Sequence, residues 1–502
     1  MIAVEITAAI DAAGTTTTLY VADDRLITTG TDTPAYVAFD PRLVDPGNLG
    51  RNAFSDGKTG GATKLETGEI VLANIDGALD GWLDYGFDGR PVVIRTGFAG
   101  VAYPAGWTVV LTGTVEAVEA TTDKLTLRLR DKQYQLDVPA LSTIYGGTNV
   151  LPAGLDGTTD DLKGQRRPKA YGAVFNVSPP CCNTSRLVYE VGGCNSVDAV
   201  YDRGAALTAG AVYTSQVDME TNAPAAGAFR AWPAGGYFRL GSSPAGQITA
   251  DVTSGAAASS RTTAQIIKQI ALDVGLPAGA ISSTDVTSLD AANAAVVGIW
   301  LQDDTTALSA MDQIAASIGA WYGFDKDGVL RVGQLAAPSG APVLTINDYE
   351  VLALERQPAK DNSIPAWRYT LSHTRNYTPQ PSDVAGVVTA ARRAWIAQEW
   401  RTEKTESASV KTKYLLANEL TADGLLISAT DAATEASRRL ALYSVRRDVL
   451  GVTVPIEAAT ADLMDTVRVI YPRFGCTIGK DFRLTGIRYE LAASRAVLTL
   501  WG

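Results

Sequence analysis

Histidine is almost missing from this chain: there is one, His373, in 502 residues. Imidazole is the commonest general base and a common metal ligand, so its scarcity removes most hydrolase and metalloenzyme designs at the outset. His373 follows the strand-like run Arg368-Tyr369-Thr370-Leu371 and reads as a structural residue at a strand end. No G-x-S-x-G elbow accompanies it to suggest a nucleophile. Long apolar runs are absent too, since no stretch approaches the roughly 18 uninterrupted apolar residues of a membrane span. The opening MIAVEITAAIDAAG lacks the basic start, apolar core and cleavage site of a secretory signal, so synthesis in the cytoplasm is expected. Clustered basic charge is also wanting. With 43 Lys and Arg against 54 Asp and Glu, the net charge is −11. That balance argues against a nucleic-acid-binding surface, whose affinity comes largely from neutralising phosphates. An acidic wall still permits DNA to pass without sticking.

Cysteines number four: Cys181, Cys182, Cys194 and Cys476. Three fall within 14 residues, and the fourth lies far away. Buried thiols, a disulfide between Cys194 and one of the adjacent pair, and a metal or iron–sulfur site are all open readings. The adjacency of Cys181 and Cys182 departs from the usual two-residue gap of a metal site. Other motif fragments dissolve on inspection. Asp325-x-Asp327-Gly328 starts like a calcium loop, but Ala336 stands where the bidentate glutamate belongs. Gly57-Lys58-Thr59 resembles the end of a phosphate loop, yet Asn52 occupies the leading glycine position. The acid pairs Asp160-Asp161 and Asp303-Asp304 read as a loop and a helix start. Among 54 acidic residues, carboxylate pairs at glycosidase spacing arise by chance and carry no information.

What is present is β texture. Hydrophobic residues make up 46%, and 47 glycines and 22 prolines divide the chain into short segments. Its length predicts several domains. Lys124 to Arg130 alternates strictly, with Leu125, Leu127 and Leu129 on one face, as a half-buried strand does. The Val- and Thr-rich run Thr108 to Val118, joined to it by Ala120-Thr121-Thr122-Asp123, predicts an antiparallel pair. Glu69 to Ala73 and Pro91 to Arg95 add two more strands around a turn-rich Asn74 to Gly81. Residues 204–260 carry five charged side chains and predict short strands and loops with a weak core. From 261 onward the texture changes. Thr262-x-x-Gln265 marks a capping box for a helix through Ile266, Ile267, Ile270 and Val274, stopped at Gly275. A second helix is expected from about Asp304, through Leu308, Met311, Ile314 and Ile318 to Gly319. Trp321 to Phe324 and Val329 to Val332 then flank an Asp-Gly hairpin in which both turn positions are expected at positive φ. In the last third, Asp431 is a candidate cap for a helix bearing Ala433, Ala436, Leu440 and Tyr443. Arg438, Arg439, Arg446 and Arg447 complement its dipole. Strands over Thr466 to Tyr471, Phe482 to Leu491 and Ala496 to Trp501 close the chain, with no tail expected beyond them.

The predicted fold is mainly β with α+β insertions and few short helices. It divides into a β segment at 1–150, a β-rich low-charge segment at 151–260, a small α+β unit at 261–345 and a β segment with one helix at 346–502.

Several stretches resemble the baseplate hub or tail-tip proteins of long-tailed bacteriophages and gene-transfer particles. They are Gly68 to Gly77 with Leu83 to Arg90, Lys163 to Gly172 with Val174 to Val177 and Leu187 to Val191, and Val200 to Gly204. The helix-plus-hairpin at 304–332 and the closing Leu484 to Gly502 extend the resemblance collinearly over nearly the whole chain. The resemblance implies tail-tube-like antiparallel barrel or sandwich domains in a homotrimer that joins a six-fold tube to a three-fold tip. It implies an axial channel for tape-measure protein and DNA as passing cargo, and neighbours among the distal tail or tube protein and the central fibre or tip proteins. The protein is then a non-enzymatic virion component, without a resident cofactor and without stable membrane insertion. Some relatives hold an iron–sulfur cluster on four cysteines, a spacing that Cys181, Cys182, Cys194 and Cys476 do not reproduce. Two other readings compete: a glycan- or receptor-binding tail protein using dispersed Trp and Tyr, and a cell-wall hydrolase dependent on His373.

Overall fold

The computed structural model describes residues 1–54, 60–66, 68–357 and 365–502. Strands take 39% of the residues and helices 18%, so the chain is mainly β and multidomain.

The leucine alternation forms its strand as expected. Lys124–Arg130 buries Leu125, Leu127 and Leu129 and pairs antiparallel with Thr108–Ala120, register Ala120 opposite Leu125. These two strands lie inside a seven-stranded antiparallel sheet whose order is Thr16–Ala22, Ile2–Ala9, Pro91–Thr96, Thr108–Ala120, Lys124–Arg130, Glu69–Ala73 and Leu43–Asp45. At the other end of the chain, Thr466–Val469, Lys480–Glu490, Arg495–Trp501 and Val449–Pro455 pair in that order, with Leu344–Ile346 and Ala353–Arg356 at the margins. The inward faces of the two sheets meet in one apolar core. Ile6, Ile70, Leu125 and Leu127 from the first share it with Val452, Phe482, Leu484 and Leu498 from the second. Each such side chain contributes about 1.5–3 kcal/mol by leaving water, so this shared core is the largest single stabilising feature of the terminal regions.

Residues 48–54 and 60–66 tie these parts together. Asn48–Asn52 leaves the first sheet's neighbourhood and adds to the second, opposite Gly486 to Glu490, while Lys64–Glu66 pairs back on it. Gly61–Ala62 then runs parallel to Ala320–Phe324. One short segment therefore touches three parts of the molecule that are hundreds of residues apart in sequence.

The low-charge region is a sandwich rather than a weak core. Ala205–Ala206, Ser196–Asp202, Ile248–Ser254, Lys169–Val177 and Gly298–Leu301 form one sheet. Cys181–Asn183, Val188–Glu190, Tyr237–Leu240, Ala228–Trp232 and Thr208–Ala209 form the other. Phe229, Phe238, Leu240, Ile248 and Val252 fill the space between, joined by Tyr189 stacked on Phe238 at 5.2 Å. Few charges and many small residues pointed to a weak core here, but the apolar residues alternate within the short strands. The crossing of Lys169–Val177 over Gly298–Leu301 demands glycine on both sides. A Cβ at Gly172 would stand 1.9 Å from the Val297 carbonyl, and one at Gly298 2.0 Å from that of Ala173.

The helical unit contains Thr263–Asp273, Ala307–Ala316 and Ala429–Tyr443 around a common core. A further helix, Ser283–Ala292, was not anticipated, although Ser282 caps it by accepting from the Asp285 amide. Thr262 caps its helix, but only half of the expected box forms, because Gln265 donates its side chain to Asp290 at 2.6 Å. The second helix begins after Thr306 rather than at Asp304. Ser428, not Asp431, caps the last one, since its hydroxyl accepts from the Asp431 amide. The hairpin turn also differs. Gly328 alone has positive φ, and the Asp325 carboxylate accepts from the amides of Asp327 and Val329 at 3.0 and 2.9 Å. A longer turn braced by a side chain relieves the aspartate of the left-handed conformation.

Candidate functional site

His373 ends the strand Ala366–His373 and is buried. Its Nδ1 lies 2.8 Å from the Thr374 hydroxyl, which donates its single proton to the Ile427 carbonyl. That hydroxyl therefore accepts from the ring and is not a nucleophile awaiting a base. Glu403 stands 3.9 Å from Nε2, and burial holds the imidazole pKa below its ordinary value. The arrangement seats a histidine in a wall.

The four cysteines are free thiols in three separate environments. Cys182 packs with Tyr145, Val188 and Met219; Cys181 and Cys194 lie against the sandwich core; Cys476 is buried in the shared core of the terminal sheets. Burial raises every thiol, to about 11 for Cys181 and about 12 for Cys194. Among the described residues no three His, Cys, Asp or Glu side chains gather into a metal-holding group. The donor set does not fit a four-thiolate cluster.

Of the acid pairs, Asp303 and Asp304 turn to different partners and Asp161 serves its own loop. Asp161 accepts from the amides of Thr158 and Leu162, Asp303 from that of Thr305, and Asp304 pairs with Arg166 at 2.6 Å. Gly57-Lys58-Thr59 lies outside the described residues.

The polar groups that do converge were not singled out by sequence, and they sit where parts of the chain join. At the first junction, Arg51 is buried and donates to Asp462 at 2.6 Å and to the Phe324 carbonyl at 3.3 Å. Asp312 accepts from the Ala62 amide at 2.9 Å and the Tyr322 hydroxyl at 2.8 Å. Arg331 pairs with Asp285 and lies 3.6 Å from Asp325. Two narrow crevices adjoin there, sharing Arg51, Thr63, Phe324 and Asp325.

At the second junction, Glu435 accepts from Arg439 at 2.7 Å and from Arg438 at 2.8 Å. Arg439 continues to the Ala316 carbonyl and the Tyr369 hydroxyl, Arg438 to the carbonyls of Ile318 and Leu335. These arginines, expected to complement their own helix dipole, instead satisfy orphan carbonyls at the end of Ala307–Ala316.

At the third, Asn176 is fully buried at φ 54°. It donates to Asn376 at 2.8 Å and to the Thr378 carbonyl at 2.7 Å; Asn376 donates onward to the carbonyls of Ile396 and Gln398. A lone asparagine within the apolar run Val174 to Val177 was the one sequence signal for this contact. The chemistry available at all three junctions is adhesion between modules. Among the described residues no helix is long and apolar enough to cross a membrane.

No family model matches the chain, and no curated protein does. Among solved structures, it is similar to a tail protein from Neisseria meningitidis MC58 at 12% identity and TM-score 0.41, covering 90% of this chain and 91% of that one. It is also similar to the 43 kDa tail protein of prophage MuSo2 from Shewanella oneidensis, at 11% identity and TM-score 0.40, covering 92% and 95%. A chain of a native gene transfer agent virion aligns at 14% identity and TM-score 0.40, covering 72% and 91%.

Proposed function

We propose that this chain is a structural component of a bacteriophage tail, a trimeric hub that joins the six-fold tube to the three-fold tip. On this reading it is a virion protein with no catalytic role and no resident cofactor. It lines an axial channel for tape-measure protein and DNA, and contacts the distal tail or tube protein and the tip or fibre proteins. The observation that supports it is how the buried polar groups are spent. The Arg51, Glu435 and Asn176 networks hold modules together, and His373 is spent on the hydroxyl of its neighbour Thr374. The collinear hub-like motifs agree with this. Gly68 to Gly77 carries a strand of the first terminal sheet and Leu484 to Gly502 the heart of the second. An acidic surface suits a passage that must not retain DNA.

The reading is tested by locating the chain in particles with gold-labelled antibody and weighing the purified protein by sedimentation. Label at the tail tip and a mass of three 52.8 kDa chains are expected. Label on the capsid, or a single chain at high concentration, overturns it. Peptidoglycan clearing lost in His373→Ala would instead favour the hydrolase reading.

A further inference from the structure

Exposed apolar side chains are ordinary when they stand singly. Leu415 and Leu416 stand together, 91% and 82% exposed. They lie in the connection between Arg401–Glu406 and Asn418–Asp423, the two strands that flank Ala366–His373. That connection is rooted at both ends. The Ser407 amide donates to the Trp367 carbonyl at 2.7 Å, and the Asn418 amide to that of Pro365 at 3.2 Å. Between these roots runs the short helix Ala408–Lys413, closed by the Tyr414 amide on the Val410 carbonyl at 2.8 Å. Ordered backbone therefore holds both leucines out in solvent.

The charge around them is of one sign. From Ser407 to Asn418 the chain carries Lys411 and Lys413 and no acid. Both lysines are exposed, and among the described residues neither meets a carboxylate. Lys411 Nζ lies 3.8 Å from the centroid of the Trp367 ring, and Lys413 Nζ 5.1 Å from that of Tyr414. Glu406 and Glu419, the nearest acids in sequence on either side, are both spent on Arg368 at 2.9 Å. In a chain with 54 acids, this tip keeps an uncompensated positive charge beside bare leucine.

We infer that the Lys411–Leu416 tip docks on the surface of a phospholipid bilayer with anionic headgroups, as a reversible peripheral contact. Charge complementarity selects this partner, since two unpaired ammonium groups meet lipid phosphates while two leucines enter the acyl boundary. Trp367 and Tyr414 suit the headgroup level, and the lysine stems lie along their rings with the charged ends free to reach outward. The net charge of −11 opposes such a surface at long range. Charges farther than about 8–10 Å from it are screened at physiological salt, so the tip's own lysines govern the last approach. A protein partner would need a groove fitted to a projecting leucine pair, whereas a fluid bilayer yields to one. The contact does not depend on the hub reading.

The experiment measures co-sedimentation of the full chain with vesicles of phosphatidylcholine, with and without phosphatidylglycerol. Binding is expected only with phosphatidylglycerol, and it should weaken as salt rises. Leu415→Ser with Leu416→Ser, and separately Lys411→Gln with Lys413→Gln, should each weaken it by about tenfold or more. The thermal transition should not move, because all four side chains are exposed. In the wild type, amides from Thr412 to Ala417 should exchange about tenfold more slowly on the vesicles than in solution. No binding, equal binding to both vesicle types, or binding indifferent to both double variants overturns the lipid contact. Self-association lost in the lysine variant without any vesicle binding also overturns it and assigns the tip to a second copy. Should a variant fail to fold, the exchange measurement on the wild type still decides. The mass of the assembly, measured without lipid, tests the hub reading separately.

Discussion

The shared core of the terminal sheets and the helical middle solve the same problem with different chemistry. In the terminal sheets, strands from opposite ends of the chain share a core of aliphatic and aromatic side chains, with one ion pair, Arg51–Asp462, also linking the ends. In the middle, helix Ala429–Tyr443 buries Glu435 and Arg439 beside Ala432, Ala436 and Leu440. A sheet satisfies its own backbone in the ladder and needs only apolar fill. A helix that ends inside the protein leaves carbonyls without helical partners, and charge brought in from another helix donates to Ala316 and Ile318, the latter shared with the Gln334 amide group. Burying charge is costly unless every partner is present, which makes the middle the more brittle of the two.

The sharpest way to break this contrast is Glu435→Ala. It strands Arg439 without its carboxylate and should destabilise the protein by about 3–5 kcal/mol in denaturant unfolding. A smaller loss than that of a leucine truncation would show that the network is dispensable. Leu127→Ala in the terminal core should cost about 2–5 kcal/mol, and both terminal sheets should lose amide protection together because they share that core. Separate loss of the two would sever the link. Asn376→Ala leaves the buried Asn176 amide short of one acceptor and should cost about 1–3 kcal/mol, with proteolysis appearing first between 376 and 400. Ser428→Ala should cost about 1 kcal/mol through the lost cap, and Asp431→Ala less, since Asp431 caps nothing.

The smallest effect concerns pH. Burial holds the folded-state pKa of His373 below its ordinary value of 6.5, so the folded form binds its proton less readily than the unfolded form. Its contribution is fully present above pH 6.5 and fades as pH falls toward the folded-state pKa. Stability measured from pH 7 downward should therefore decline more gently in His373→Gln than in wild type. Identical slopes would mean that the ring is solvated after all.

Strands with strict alternation were readable from sequence because a half-buried strand needs nothing but period two. Lys124–Arg130 and the three closing strands fell where expected, within a few residues. Helix starts slipped by two or three residues where a nearby serine or threonine took the cap: Thr306 stands just after the expected Asp304, and Ser428 just before Asp431. The sandwich at 169–254 was undervalued because most of its strands, two to seven residues long, show too few repeats for a period to be seen. The junctions were invisible. Arg51 and Asp462 are 411 residues apart, and Asn176 and Asn376 are 200 apart, so no local pattern marks either pair.

Composition and periodicity by themselves settled that this is a β-rich, acidic chain poor in the residues of catalysis, because those properties are sums over residues or repeats between neighbours. Only the folded molecule decided that its two ends share one core, that residues 48–54 and 60–66 join distant modules, and that Cys476 lies in a different core from the other three cysteines. Those outcomes depend on which distant surfaces meet, and the free energy that chooses among meetings is spread over the whole molecule.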